Sequence, residues 1–298
     1  MKIRANGIDI EIDDTGPRDG PVLMLIMGLG MQLIAWPDEL VQDLVGRGFR
    51  VVRQDNRDIG LSQRMDHLGM PNVAWAMLRH AMRLPIHSPY RVSDMASDTV
   101  GVLDHLGIAS AHICGASMGG MIAQHLAANH PQRVRSLTLM MTTSGSRRLP
   151  QASLRVRQAL VARPASTAFA DLVAHSSALY RLIGSPAYPP DEARLKLRLE
   201  TSIKRAFNPA GTARQLLAIA ADGDRTALLS RIAAPTLVIH GTSDPLVPVQ
   251  AGYDLAQRIA GAQADFIEGM GHDLPLALLP RFASGMAANA SRAAAKAA

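Results

Sequence analysis

A chain of 298 residues, 48% hydrophobic and 19% charged, is long enough for a sizeable core in one domain that carries an insertion. The single cysteine, Cys114, excludes an internal disulfide and the Cys-rich zinc patterns, and no apolar run approaches the length needed to span a bilayer. The formal net charge of +6 is local: from Ser144 to Arg231 there are 14 Lys and Arg against six Asp and Glu. Those cations sit in Leu/Ala-rich helical patterns such as EARLKLRLETSIKRAF, without the interleaved aromatics of a single-strand binder. Solvated helix faces explain them, a general attraction for anionic substrates or surfaces is the secondary reading, and no nucleic-acid partner is expected.

The opening MKIRANGIDIEIDD contains no apolar stretch and hence no secretory signal, which predicts a cytoplasmic protein. KIRANG and IDIEIDD pattern as an N-terminal hairpin. VLMLIM, from Val22 to Met27, is a buried strand followed by Gly28 and Gly30, then a helix near Asp38–Val45 and a strand FRVVRQ from Phe49. Met65 to Tyr90 is a small insertion with a Met/Trp-rich helical piece. Ser93 can cap a helix whose Met95, Thr99, Val100, Leu103 and Leu106 share one face.

A strand at Ala111–Cys114 enters a sharp turn, and a helix runs from Met118 to about Asn129. Val134–Met141 is the next strand. From Thr143 to about Arg231 strand signals stop, and four or so helical stretches appear, punctuated by prolines. Strands at PTLVIH, from Pro235, and at Ala264–Glu268 follow, then a helix near the C-terminus and a low-complexity SRAAAKAA expected to fray. This alternation predicts an α/β fold with a mostly parallel central sheet flanked by helices. The division is a core at 1–142, a helical cap at 143–231 and a second core part at 232–298.

The chemistry starts at Gly115-Ala116-Ser117-Met118-Gly119, a G-x-S-x-G with strand before and helix after. A nucleophile on so tight a turn has strained backbone angles and close neighbours, so glycine is needed two residues to either side. The helix N-terminus presents free N–H groups where an oxyanion would form. Serine needs a base to take its proton. His272, in Gly269-Met270-Gly271-His272 after a strand, is the last of ten histidines and fits that role; His240, in HGTSD, is its rival and reads as a supporting residue. Asp244 follows the PTLVIH strand 28 residues before His272 and would orient the imidazole. An aspartate before proline is otherwise a common turn former.

With these residues the chain resembles α/β-hydrolase-fold esterases along nearly its whole length. The matching pieces are the Met27-Gly28 turn, DNRDIGLS from Asp55 to Ser62, the GASMGG elbow, HGTSDPLVP and GMGHDLP. More narrowly it is similar to the aclacinomycin methylesterase-like esterases, which share the Met-Gly turn and a nearby Trp-Pro-Asp-Glu, here Trp36 to Glu39. Many family members have His-Gly where this chain has Met27-Gly28. The resemblance implies that the backbone N–H groups of Leu29 and Met118 form the oxyanion hole, so no side chain is required there. It gives DNRDIGLS a structural part, with no catalytic role for Asp55 or Arg57.

A serine nucleophile separates the chain from dehalogenases and epoxide hydrolases of the same fold, which use aspartate, and leaves acyl chemistry. Ester hydrolysis through an acyl-enzyme is the expected activity, on a small-molecule substrate. The same triad also serves lactone, thioester, amide and C–C bond hydrolysis or perhydrolysis. A hydrolase-fold ligand-binding protein would show damage in the triad or oxyanion loop, and none is visible. Trp36, Trp75 and Met77 are candidate pocket residues for a largely apolar ester, though core packing explains them equally well. No cofactor is expected and no metal-ligand spacing is present.

Overall fold

Strands Val22–Ile26 (β3) and Ala111–Ala116 (β5) are buried at every residue, as strands covered on both faces must be. The hairpin before them joins β1 (Lys2–Ala5) to β2 (Ile8–Thr15) in antiparallel register. Its turn residues Asn6 and Gly7 take φ of 48° and 77°, the pair of positive angles that a two-residue type I′ turn demands. With β4 (Arg50–Gln54), β6 (Val134–Met140), β7 (Thr236–Gly241) and β8 (Gln263–Ile267) they form one sheet, ordered β1-β2-β4-β3-β5-β6-β7-β8. Every pairing from β4 onward across the sheet is parallel. The structure is a computed structural model that describes residues 1–82 and 84–297, without the side chains of Met77, His80, Ala81, Lys296 and Ala297.

Side chains alternate across the pleat, so β3 divides its residues between two cores. Met24 and Ile26 join α3 (Val92–His105), α4 (Met118–Asn129) and α10 (Gln250–Arg258) on one face. Leu23 and Leu25 join α1 (Asp38–Gly46) and α11 (Leu279–Ala297) on the other, through Leu40, Leu44, Phe282 and Met286. The α/β fold expected from the alternating pattern is the fold observed. No helix among the described residues is long and apolar enough to cross a membrane.

One local expectation needs correction. Helix α3 begins at Val92 with Arg91 as its N-cap, so Ser93 lies inside the first turn. Asp94 supplies the stabilising contact instead, its carboxylate accepting the Arg91 N–H at 2.7 Å. At the C-terminus α11 extends to Ala297. Arg292 pins it by donating to the carbonyls of Thr236 at 3.2 Å and Gly261 at 2.8 Å, and alanine is the best helix former available.

Between β6 and β7 lie five helices, α5 (Leu154–Val161), α6 (Phe169–Ile183), α7 (Glu192–Arg205), α8 (Pro209–Asp222) and α9 (Thr226–Leu229). They are tied to the segment after β4. Arg205 donates to Asp55 at 2.7 Å and to Gln32 at 2.8 Å. Arg214 and Asp58 form a doubly hydrogen-bonded pair at 2.7 and 2.8 Å, both side chains with 0% exposure. Burial pushes the Asp58 carboxyl up, but the Arg214 hydrogen bonds and the Met65 N–H outweigh it and hold it below its ordinary value.

Losing one member of such a pair costs far more than losing both. Arg214→Leu should therefore destabilise the protein by about 3–5 kcal/mol, because it strands a buried carboxylate. Asp58 has φ of 71°, a conformation asparagine tolerates. Adding Asp58→Asn to Arg214→Leu should recover part of the loss in a urea titration. Equal stability of wild type and the Arg214 single variant would contradict this account.

Candidate active site

The turn out of β5 is sterically specified. Ser117 has φ of 54° and ψ of −119°, a strained backbone for a residue with a Cβ. A Cβ on Gly115 would sit 2.2 Å from the Gly119 carbonyl oxygen, and one on Gly119 would sit 2.0 Å from that of Ile26. Any side chain at either place would push the elbow apart. Neighbouring strands hold the turn: Ser117 N–H donates to the Met140 carbonyl at 2.9 Å, and Thr142 Oγ1 donates to the Ser117 carbonyl at 2.7 Å.

Two loops from the C-terminal ends of β7 and β8 converge on this serine. His272 Nε2 lies 3.0 Å from Ser117 Oγ, and its Nδ1 lies 2.7 Å from Asp244 Oδ2. Asp244 Oδ1 accepts the Leu246 and Val247 N–H groups at 2.9 and 2.8 Å, so the carboxylate cannot swing away from the imidazole. His240 is fully buried, and its Nε2 contacts the Val247 carbonyl at 2.8 Å. Burial pushes its pKa down against the pull of Asp244, and because a carbonyl can only accept, Nε2–H is the donor to it. Its Nδ1 has no partner among the described residues.

The turn after β3 closes the other side. A Cβ on Gly28 would come within 3.0 Å of Ser117 Cβ, so the backbone of this turn lies directly over the serine. Met27 O is held by Asn56 Nδ2 at 2.8 Å, and Gly30 N–H is held by Gln215 Oε1 at 2.9 Å. Between these anchors the Leu29 N–H has no acceptor among the described residues, and neither does the Met118 N–H at the start of α4.

The five-helix insertion also touches the histidine loop. The turn after α6 accepts the His272 N–H on the Ile183 carbonyl at 2.7 Å and the Gly271 N–H on Ser185 Oγ at 2.8 Å. Ser185 donates in turn to Asp273, whose carboxyl burial pushes up. Gly271 fits only as glycine, since a Cβ would meet the Gly184 carbonyl at 2.4 Å.

The residues singled out for chemistry thus divide cleanly. Ser117, Asp244 and His272 come together, with the Gly28 turn and the start of α4 beside the serine, while Trp36 and Trp75 do not join them. Trp36 has 0% exposure in the core beneath α1, and Trp75 stands 53% exposed on α2 (Val73–Ala81). The Met77 side chain lies outside the described residues. Gln215, Ile183 and Ser185 carried no sequence signal, because their partners lie 185, 89 and 86 residues away in the chain. Among the described residues, no cluster of three or more His, Cys, Asp or Glu has the arrangement to hold a metal ion.

The family pattern described as the alpha/beta hydrolase fold matches residues 21–276. Rhodomycin D methylesterase DnrP of Streptomyces peucetius is 32% identical, over 92% of this chain and 91% of that protein. The 2-hydroxymuconate semialdehyde hydrolase of a Pseudomonas species is 29% identical, over 95% and 90% respectively. The solved enol-lactonase of Burkholderia xenovorans superposes with a TM-score of 0.74 at 24% identity, covering 98% of this chain and all of the other. A match over so much of the sequence, with a serine elbow facing a histidine and an aspartate, makes the chain a member of the α/β-hydrolase family.

Proposed function

We propose that this protein is a serine hydrolase that cleaves carboxylic esters of small molecules through an acyl-enzyme. The observation that carries the reading is the unbroken chain from Ser117 Oγ through His272 to Asp244, at 3.0 and 2.7 Å. The likeness to a methylesterase over nine-tenths of both chains supports an ester as the substrate.

In this reading His272 Nε2 takes the Ser117 proton as Oγ attacks the ester carbonyl. Asp244 holds Nδ1–H and stabilises the imidazolium. The Leu29 and Met118 N–H groups, with no other acceptor among the described residues, receive the oxyanion. His272 then gives its proton to the departing alcohol, and a water activated by the same imidazole releases the acid. Residues 143–231 serve as a cap that closes the site from above, and the cytoplasm is the compartment that suits the chain. The 29% identity to a hydrolase acting on a muconate semialdehyde supports a second reading, C–C bond hydrolysis on the same triad.

Initial rates on a neutral aryl ester, a lactone and a vinylogous diketone separate these readings. Ester turnover that a fluorophosphonate abolishes is the expected result; turnover of the diketone alone would favour the second reading, and turnover of none would overturn both. Asp244→Asn should lower kcat by about 10⁴, as the same change does in a serine-protease triad, because asparagine imposes the wrong tautomer on the histidine. A loss within tenfold would remove Asp244 from the triad.

A further inference from the structure

We propose that Ser185 and Asp273 are positioning residues for His272, a clasp through which the five-helix insertion fixes the backbone that carries the base. The inference rests on the serine-hydrolase reading, in which His272 takes the Ser117 proton.

His272 lies beyond the last sheet pairing, that of Gly241 with Ile267, so the sheet does not hold its backbone. Asp244 fixes the imidazole at Nδ1, but the reach of Nε2 to Ser117 depends on where residues 269–273 run. One side of that loop rests on the loop after β7. The Gly269 N–H donates to Thr242 Oγ1 at 3.1 Å, and the Ser243 N–H donates to the Met270 carbonyl at 3.0 Å.

The other side rests on the insertion, at the turn after α6. The Ala187 N–H donates to the Gly269 carbonyl at 3.1 Å, and the His272 N–H donates to the Ile183 carbonyl at 2.7 Å. Between these, Ser185 Oγ accepts the Gly271 N–H at 2.8 Å and donates its proton to Asp273 Oδ1. One buried hydroxyl thus bonds the residue before the histidine and the residue after it. A hydroxyl has a single proton to give. With that proton on Asp273, the Ser185 lone pairs are left to face Gly271.

The clasp is tight as well as polar. A Cβ on Gly269 would meet Ala187 Cβ at 2.3 Å, and one on Gly271 would meet the Gly184 carbonyl at 2.4 Å. Burial pushes the Asp273 carboxyl up against the pull of the Ser185 hydroxyl and N–H, Arg198 of α7 and His272. Charging it therefore costs the fold something that a neutral residue would not, and its hydrogen bond leads straight back to the backbone of the base. A role in placing His272 accounts for that arrangement. Misplacing a reacting group by about 1 Å can cost on the order of a hundredfold in rate.

The test compares Ser185→Ala, Asp273→Ala and Asp273→Asn with the wild type at equal folded fraction, by ester kinetics and by the rate at which a fluorophosphonate modifies Ser117. Phosphonylation needs His272 to draw the serine proton but needs no ester, so it reports on the clasp whatever bond the enzyme cleaves. Ser185→Ala and Asp273→Ala should each lower kcat and the phosphonylation rate by roughly ten- to a hundredfold, with KM little changed. Asp273→Asn keeps an oxygen for the Ser185 hydroxyl and should recover most of both rates. Arg181→Ala removes an exposed ion pair from the same helix and should match the wild type. Wild-type rates in Ser185→Ala and Asp273→Ala would overturn the inference and leave the ester-hydrolase reading standing. Equal losses in Asp273→Asn and Asp273→Ala would overturn it too, as would a comparable loss in Arg181→Ala, which would reduce the effect to a general loosening of α6. Slower phosphonylation of the variants, with no ester turnover by the wild type, would support the clasp and overturn the ester reading alone.

Discussion

Ser117→Ala is expected to abolish ester turnover, with a loss on the order of 10⁶ in kcat, the scale measured when a serine-protease nucleophile is removed. The fold should be unaffected. Ser117 already carries a Cβ at φ of 54°, so alanine brings no new backbone strain, and the two hydrogen bonds that anchor the turn use the Ser117 backbone. Circular dichroism and the thermal midpoint should match the wild type, while labelling by a fluorophosphonate probe disappears. A variant that retains most of its turnover would remove Ser117 from the mechanism, whatever the geometry around it.

His272→Ala should cost as much as the loss of the serine, because the two act as one unit and neither is useful alone. His240→Ala tests the alternative base and should cost far less in kcat. Its Nε2–H is spent on the Val247 carbonyl, and it lies 3.6 Å from Asp244 Oδ2 against 2.7 Å for His272 Nδ1. His240 nonetheless matters to packing, since a Cβ added at Gly252 on α10 would come within 2.9 Å of its ring. Truncating it opens a buried space and frees the Val247 carbonyl, so the comparison must be made at equal folded fraction. The reverse ranking under that condition would pass the role of base to His240.

Much of this site is legible along the chain because it depends on local constraints. Only glycine fits two residues before and after Ser117, and that requirement shows as a short motif between an apolar strand and a helix. The sheet is legible for a related reason: strands buried on both faces read as unbroken apolar runs, as in VLMLIM and AHIC. The order Ser117, Asp244, His272 follows from where the strands end.

What the tertiary structure alone decided concerns direction and distance. His240 and His272 both lie at the end of a strand or just beyond it, and only the path of each loop turns one imidazole to Ser117 and the other to a carbonyl. Trp36 has the apolar signal of a pocket residue and the burial of a core residue, because hydrophobicity records removal from water and says nothing about which cavity is filled. Asp55 and Asp58 sit in a polar DNRD segment that patterns as a loop, yet both are buried because Arg205 and Arg214, 150 and 156 residues later, neutralise them. The anchors of the catalytic loops, Gln215 on Gly30 and the turn after α6 on Gly271 and His272, are contacts of the same long-range kind. Composition and periodicity describe what a residue prefers within a few neighbours; which distant partner satisfies it is settled only when the helices close over the sheet.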